Sequence, residues 1–158
     1  MHKNAELLSR FYSALQQQDA IGMHACYHRE VHFHDPAFLT LHGDRARAMW
    51  SMLCENDRDL EVEFRDVTAD DLRGSAHWEA DYTFSATGKP VHNVIDAQFE
   101  FRDGLIARHV DHFDFHRWAA QALGPVGRLL GGTSLFRCLF NRKASKLLDR
   151  YIEINKRG

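Results

Sequence analysis

The stretch from residue 77 to 115 most constrains what this chain can fold into. Three long runs, HWEADYTFS, VHNVIDAQFEF and LIARHVDHFDF, alternate polar and apolar residues and are joined through the turns TGKP and RDG. Period-two alternation marks a strand with one buried face. Short Gly-containing links between such runs close antiparallel hairpins. In the first run Trp78, Ala80, Tyr82 and Phe84 share a face, with His77, Glu79, Asp81 and Thr83 opposite. In the second, Asn93, Ile95, Ala97, Phe99 and Phe101 share one. In the third, alternation groups Leu105, Ala107, His109, Asp111, Phe113 and Phe115. The leucine and two phenylalanines mark this set as inner, which carries His109 and Asp111 inward. A buried carboxylate costs several kcal/mol unless it is compensated or shifts its pKa. A small domain that accepts one often has a ligand or a reaction there. The plainer alternative is an Asp–His pair that satisfies itself, or a rim open to water.

Helical signals come first along the chain. Leu8, Phe11, Tyr12 and Leu15 recur at helical spacing and predict a helix over about residues 4–17. Asp19 can cap a short second helix carrying Met23 and Tyr27. VHFHD reads as a short strand, residues 31–35, ended by Pro36, with loop to Gly43. Asp44 can cap a helix bearing Met49, Met52 and Leu53. LEVEFRDV, residues 60–67, alternates as a strand. Helices first and a meander after predict an α+β fold, a curved antiparallel sheet with helices over its concave side. Residues 1–116 form the pocket domain. Residues 117–158 read as a helical extension packed on it: a short helix stopped at Gly124-Pro125, a flexible or tightly turned GPVGRLLGG, and a basic helix from about 135 to 154.

The bulk numbers exclude several classes. At 158 residues the chain suits one domain with one core. A net charge of −2 leaves no nucleic-acid footprint. Cys26, Cys54 and Cys138 offer no close pair for a disulfide or CxxC site, so a cytoplasmic location is expected. No run reaches the roughly 18–20 apolar residues of a membrane span, so no integral membrane contact is expected. The basic C-terminal helix reads as amphipathic packing with a solvated basic face; docking on a partner or on anionic lipid is the other possibility. His32-x-His34 and His112-x3-His116 have ligand-like spacings, but His32, His34 and His112 fall on outer faces, so neither metal nor cofactor is expected.

Val31, Phe33 and Asp35 share a strand face, so Asp35 is a second inward acid, although Asp before Pro is also a common turn former. Asn93 could donate to a ligand oxygen or pair with backbone. Asp35, Asn93, His109 and Asp111 come from three strands and converge on an aromatic-lined concavity, the usual form of a small-molecule site.

FYSALQQQDAIGMHACYHREVHFHDP, LHGDRARAMW and FEFRDGLIARHVDHFD resemble the nuclear transport factor 2-like superfamily, in its SnoaL-like and ketosteroid isomerase-like branch, over about residues 4–116. The resemblance implies a cone-shaped α+β barrel, often dimeric, around a deep apolar pocket. It implies isomerase, polyketide cyclase, dehydratase or epoxide hydrolase chemistry, or no catalysis. On it, Asp35 matches the general base of ketosteroid isomerases. The oxyanion-binding Tyr of those enzymes falls on Phe11, one residue from Tyr12. Their partner acid falls on Asp96 or Ala97 according to the direction of counting, and alternation favours Ala97. His109 and Asp111 fall where SnoaL-like cyclases place polar pocket residues.

The expectation is a cofactor-independent acid–base enzyme acting on a mainly apolar, carbonyl-bearing molecule of polyketide, steroid or terpenoid type. The alternative is a noncatalytic binding or regulatory module. Asp35 would be the base, Asp111 would orient His109, and His109 would donate to the developing oxyanion. Tyr12, Tyr82 and Asn93 would position the substrate. Trp50, Trp78, Phe84, Phe99 and Phe113 would line the cavity. A homodimer is expected from the resemblance.

Overall fold

The computed structural model describes residues 1–157. Helix α1, Lys3–Gln16, starts where His2 Nδ1 accepts the Asn4 N–H. Its Leu8, Phe11, Tyr12 and Leu15 form the buried stripe that periodicity required. Helix α2, Ala20–His24, is capped by the Asp19 carboxylate. Then follow β1 (Tyr27–Asp35), β2 (Leu39–His42), α3 (Asp44–Asn56), β3 (Glu61–Ala69), β4 (Arg73–Phe84), β5 (Lys89–Arg102), β6 (Leu105–His112), α4 (Phe115–Leu123), α5 (Pro125–Leu130) and α6 (Ser134–Arg157).

The six strands form one curved sheet in the order β2-β1-β6-β5-β4-β3. Its pairings are antiparallel except for β1 with β6, which run parallel. This is an α+β cone. The inner sheet face packs on α1 and α3 through one core that holds Phe11, Tyr12, Trp50, Trp78 and Phe99.

The structure corrects the sequence reading at five places. Tyr27 opens β1 and pairs with Ile106; it does not belong to the second helix. Residues 39–42 are not loop but the edge strand β2, with Phe33 opposite Leu41. Residues 125–130 form helix α5, with Pro125 at the first position where its missing N–H costs nothing. Gly127 lets that helix lie directly on α4, since a Cβ there would collide with the Ala119 carbonyl. Finally, β6 is bulged. Glu100 pairs with Arg108 but Phe101 with Ile106, leaving Ala107 unopposed. The bulge flips the alternation, so Ile106 is fully buried while Leu105 and Ala107 leave the face of His109. His109 and Asp111 lie beyond it and keep their inward aim. Phe115 belongs to α4, in a satellite cluster with Val91, Trp118 and Ala119.

The C-terminal helix closes over the open end. Leu148 and Ala144 are buried, Asp149 pairs with Arg45 of α3, and Asn141 Nδ2 donates to the carbonyls of Pro36 (2.8 Å) and Ala37 (2.7 Å). Among the described residues no helix is long and apolar enough to cross a membrane.

Candidate functional site

Between the concave sheet face, α3 and the C-terminal helices lies a cavity of about 920 Å³ with a mostly apolar lining. That volume suits one medium-sized organic molecule. Trp50, Trp78, Phe84 and Phe113 line it as expected, together with Phe33 and Phe38. Asp35, Asn93, Asp111 and Tyr82 bring it their polar groups. His109, Tyr12 and Phe99 do not line it; they lie one layer behind its wall.

Asp35 closes β1 and is both things that its sequence position allowed. Its Oδ1 accepts the N–H groups of Ala37 (2.9 Å) and Phe38 (2.7 Å), the turn that an Asp-Pro step favours. The residue is nonetheless only 9% exposed, on the cavity wall. Burial pushes that carboxyl up to about 7; the Asp111 charge adds to the rise and the two backbone donors oppose it. A group that titrates near neutrality can both take and return a proton there.

Asp111 ends a buried chain of hydrogen bonds. Trp50 Nε1 donates to the Tyr27 hydroxyl (2.8 Å), Tyr27 meets His109 Nδ1 (2.8 Å), and His109 Nε2 meets Asp111 Oδ1 (2.9 Å). Trp78 Nε1 donates to the same Oδ1 at 3.3 Å. An indole can only donate, so the Tyr27 oxygen accepts from Trp50. The imidazole bridges the Tyr27 hydroxyl and the Asp111 carboxylate, so each of its nitrogens has a partner. His109 is 0% exposed, stacked on Trp50 and packed on Phe99. The sequence reading gave His109 the task of donating to an oxyanion. The structure corrects this: both ring nitrogens are engaged and the ring does not reach the cavity. In this arrangement His109 Nε2 is bonded to Asp111 Oδ1. Both protein bonds to Asp111 fall on Oδ1, which leaves Oδ2 for the cavity side.

Tyr82, expected to position a ligand, brings a hydroxyl to the cavity wall. Trp118 Nε1 of α4 donates to its oxygen at 2.7 Å, so the hydroxyl proton stays uncommitted. Burial raises the phenol to about 12 and keeps it protonated. Asn93 stands opposite Ala80 on the inner face, and no side-chain bond ties it to a described residue. Tyr12, expected among the ligand contacts, is sealed between Phe64 and Trp78, and its hydroxyl is the one buried side-chain polar atom without a partner among the described residues.

The sequence reading missed Asp57. This residue follows α3, lines the cavity, and is raised to about 6 by burial and by Asp59. It lies in a turn, where neither periodicity applies, so no pattern signalled it. Among the described residues no group of three or more His, Cys, Asp or Glu is placed to hold a metal ion. His34 bonds Thr40, and His116 meets the Arg128 carbonyl.

A six-stranded cone of this topology, with acids on the wall of an apolar interior, defines a small-molecule pocket fold. The family model of the SnoaL-like domain matches residues 8–109, more than half of the chain, which therefore belongs to the SnoaL-like family. Solved structures show the same fold. A candidate polyketide cyclase from Silicibacter sp. TM1040 is 22% identical with a TM-score of 0.64, over 75% of this chain and 93% of that one. An NTF2-like protein of unknown function from Burkholderia pseudomallei is 16% identical, TM-score 0.66, over 77% and 98%. A protein with a ketosteroid isomerase-like fold from Catenulispora acidiphila, in complex with trimethylamine, is 11% identical, TM-score 0.66, over 76% and 94%. No curated protein matches the chain.

Proposed function

We propose that this protein is a cofactor-independent acid–base enzyme, of isomerase, cyclase or hydrolase type, acting on an apolar molecule that bears a carbonyl group. One observation carries the reading: a carboxyl held by backbone donors on one oxygen, titrating near 7, on the wall of a large apolar cavity. Asp35 takes a proton from the carbon beside the carbonyl. Tyr82, whose oxygen is tied to Trp118, donates its free hydroxyl hydrogen to the carbonyl oxygen as negative charge develops there. Asp111, held by His109 and Trp78, offers a fixed acceptor for a ligand hydroxyl. The names of the solved relatives, with polyketide cyclase among them, support the class of chemistry. The homodimer is retained on the resemblance alone; a sedimentation mass near 18.3 kDa would remove it.

The test is Asp35→Asn, which keeps an oxygen for the Ala37 and Phe38 donors. Turnover should fall by at least about 100-fold, the scale of positioned acid–base help, with ligand affinity kept. Full rate in the variant contradicts the reading. The same cavity with no turnover by wild type on any enolisable ligand it binds would favour the noncatalytic binding module.

A further inference from the structure

The mouth of the cavity is not apolar. The edge of α6 that borders the cavity steps by three and four residues, from Phe136 through Leu139, Lys143, Leu147 and Arg150 to Ile154. Leu139, Leu147 and Ile154 are exposed, as are Lys143 and Arg150, while Ala144 and Leu148 bury the inner side of the helix. The two cations therefore stand at the open rim, about 10 Å apart along the axis. Among the described residues they are the only cationic side chains that line the cavity, while the carboxyls of Asp35, Asp57 and Asp111 come from the sheet and the segment just after α3. The neighbours of Lys143 one turn away are Leu139, Phe140, Lys146 and Leu147, so its own helix offers it no acid. No ion pair to Lys143 forms among the described residues, and Asp149 of α6 is taken by Arg45. Asn141, two residues before Lys143, is bonded to the carbonyls of Pro36 and Ala37, directly after Asp35. The cationic turn is thus fastened to the segment that holds the proposed base.

We infer that the cavity takes an apolar carbonyl compound with a carboxylate at its far end, the ketone lying by Asp35 and the carboxylate at Lys143 and Arg150. The guanidinium fork of Arg150 fits a carboxylate with two parallel bonds, and Lys143 adds a mobile ammonium. Both cations are exposed, so their attraction for an anion is screened by salt. This assignment rests on the proposed function for its inner end; its outer end rests on α6 alone.

The experiment compares 4-oxo-4-(2-naphthyl)butanoic acid with its methyl ester by isothermal titration on the full chain at low salt. Wild type should bind the acid at least 10-fold more tightly than the ester, and added salt should erode the difference. In Lys143→Ala/Arg150→Ala the two should bind within about 2-fold of each other. Equal binding of acid and ester by wild type overturns the anionic end and leaves the pocket intact, as does an acid preference that survives in the double variant. Failure of both compounds to bind at millimolar concentration overturns the pocket as well.

Discussion

Asp35 couples the fold to pH. Unfolded, its carboxyl ionises near 4; folded, it keeps its proton until about 7. Between those values the native state binds more protons, so stability falls as pH rises through the window, by up to about 4 kcal/mol from this group. Asp57, raised to about 6, acts in the same direction. Urea melts at pH 4.5 and 7.5 should show Asp35→Asn gaining on wild type as pH rises; a constant gap would show that the shift is absent. His109 should be costly to lose. His109→Leu strands the Tyr27 hydroxyl and one bond to Asp111 in the interior, an expected loss of about 3 kcal/mol by the same melts. Tyr12→Phe should do the reverse and stabilise by about 1 kcal/mol, because the lone buried hydroxyl makes no bond among the described residues. A destabilised Tyr12→Phe would mean that an ordered water serves that oxygen.

The elements show how much was legible in the sequence. Alternation carried β4, β5 and the inward aim of Asp35, Asn93 and Asp111, because each side chain's face follows from its strand position alone. It misgrouped Leu105 and Ala107 in β6, where one unpaired residue flips the phase and only the partner strand reveals it. The role of His109 was hidden for a different reason. It is set by Tyr27, 82 residues away in sequence, and through it by Trp50. The edge strand β2 was too short for a period, and α5 owes its place to a glycine contact that no local pattern encodes. That contact is testable. Gly127→Ala drives a methyl into the Ala119 carbonyl, so α5 must lift from α4. The melting temperature should drop by several degrees, as expected for overpacking worth about 1–3 kcal/mol. An unchanged melting curve would show that the two helices do not touch in solution.

At the scale of the whole molecule, a curved sheet closed by α6 keeps one apolar chamber beside three carboxyls. Low dielectric surroundings are what convert an ordinary aspartate into a base poised near neutrality. The resemblance over about residues 4–116 anticipated the chamber; the last helix, which borders it, was read as packing, with docking on a partner or on anionic lipid as the alternative. The most direct test of the account is a ¹³C NMR titration of the aspartate carboxyl carbons, with the Asp35 signal assigned by its loss in Asp35→Asn. The account predicts a midpoint at about 7 for Asp35. A midpoint near 4, the value of a solvated aspartate, would contradict it.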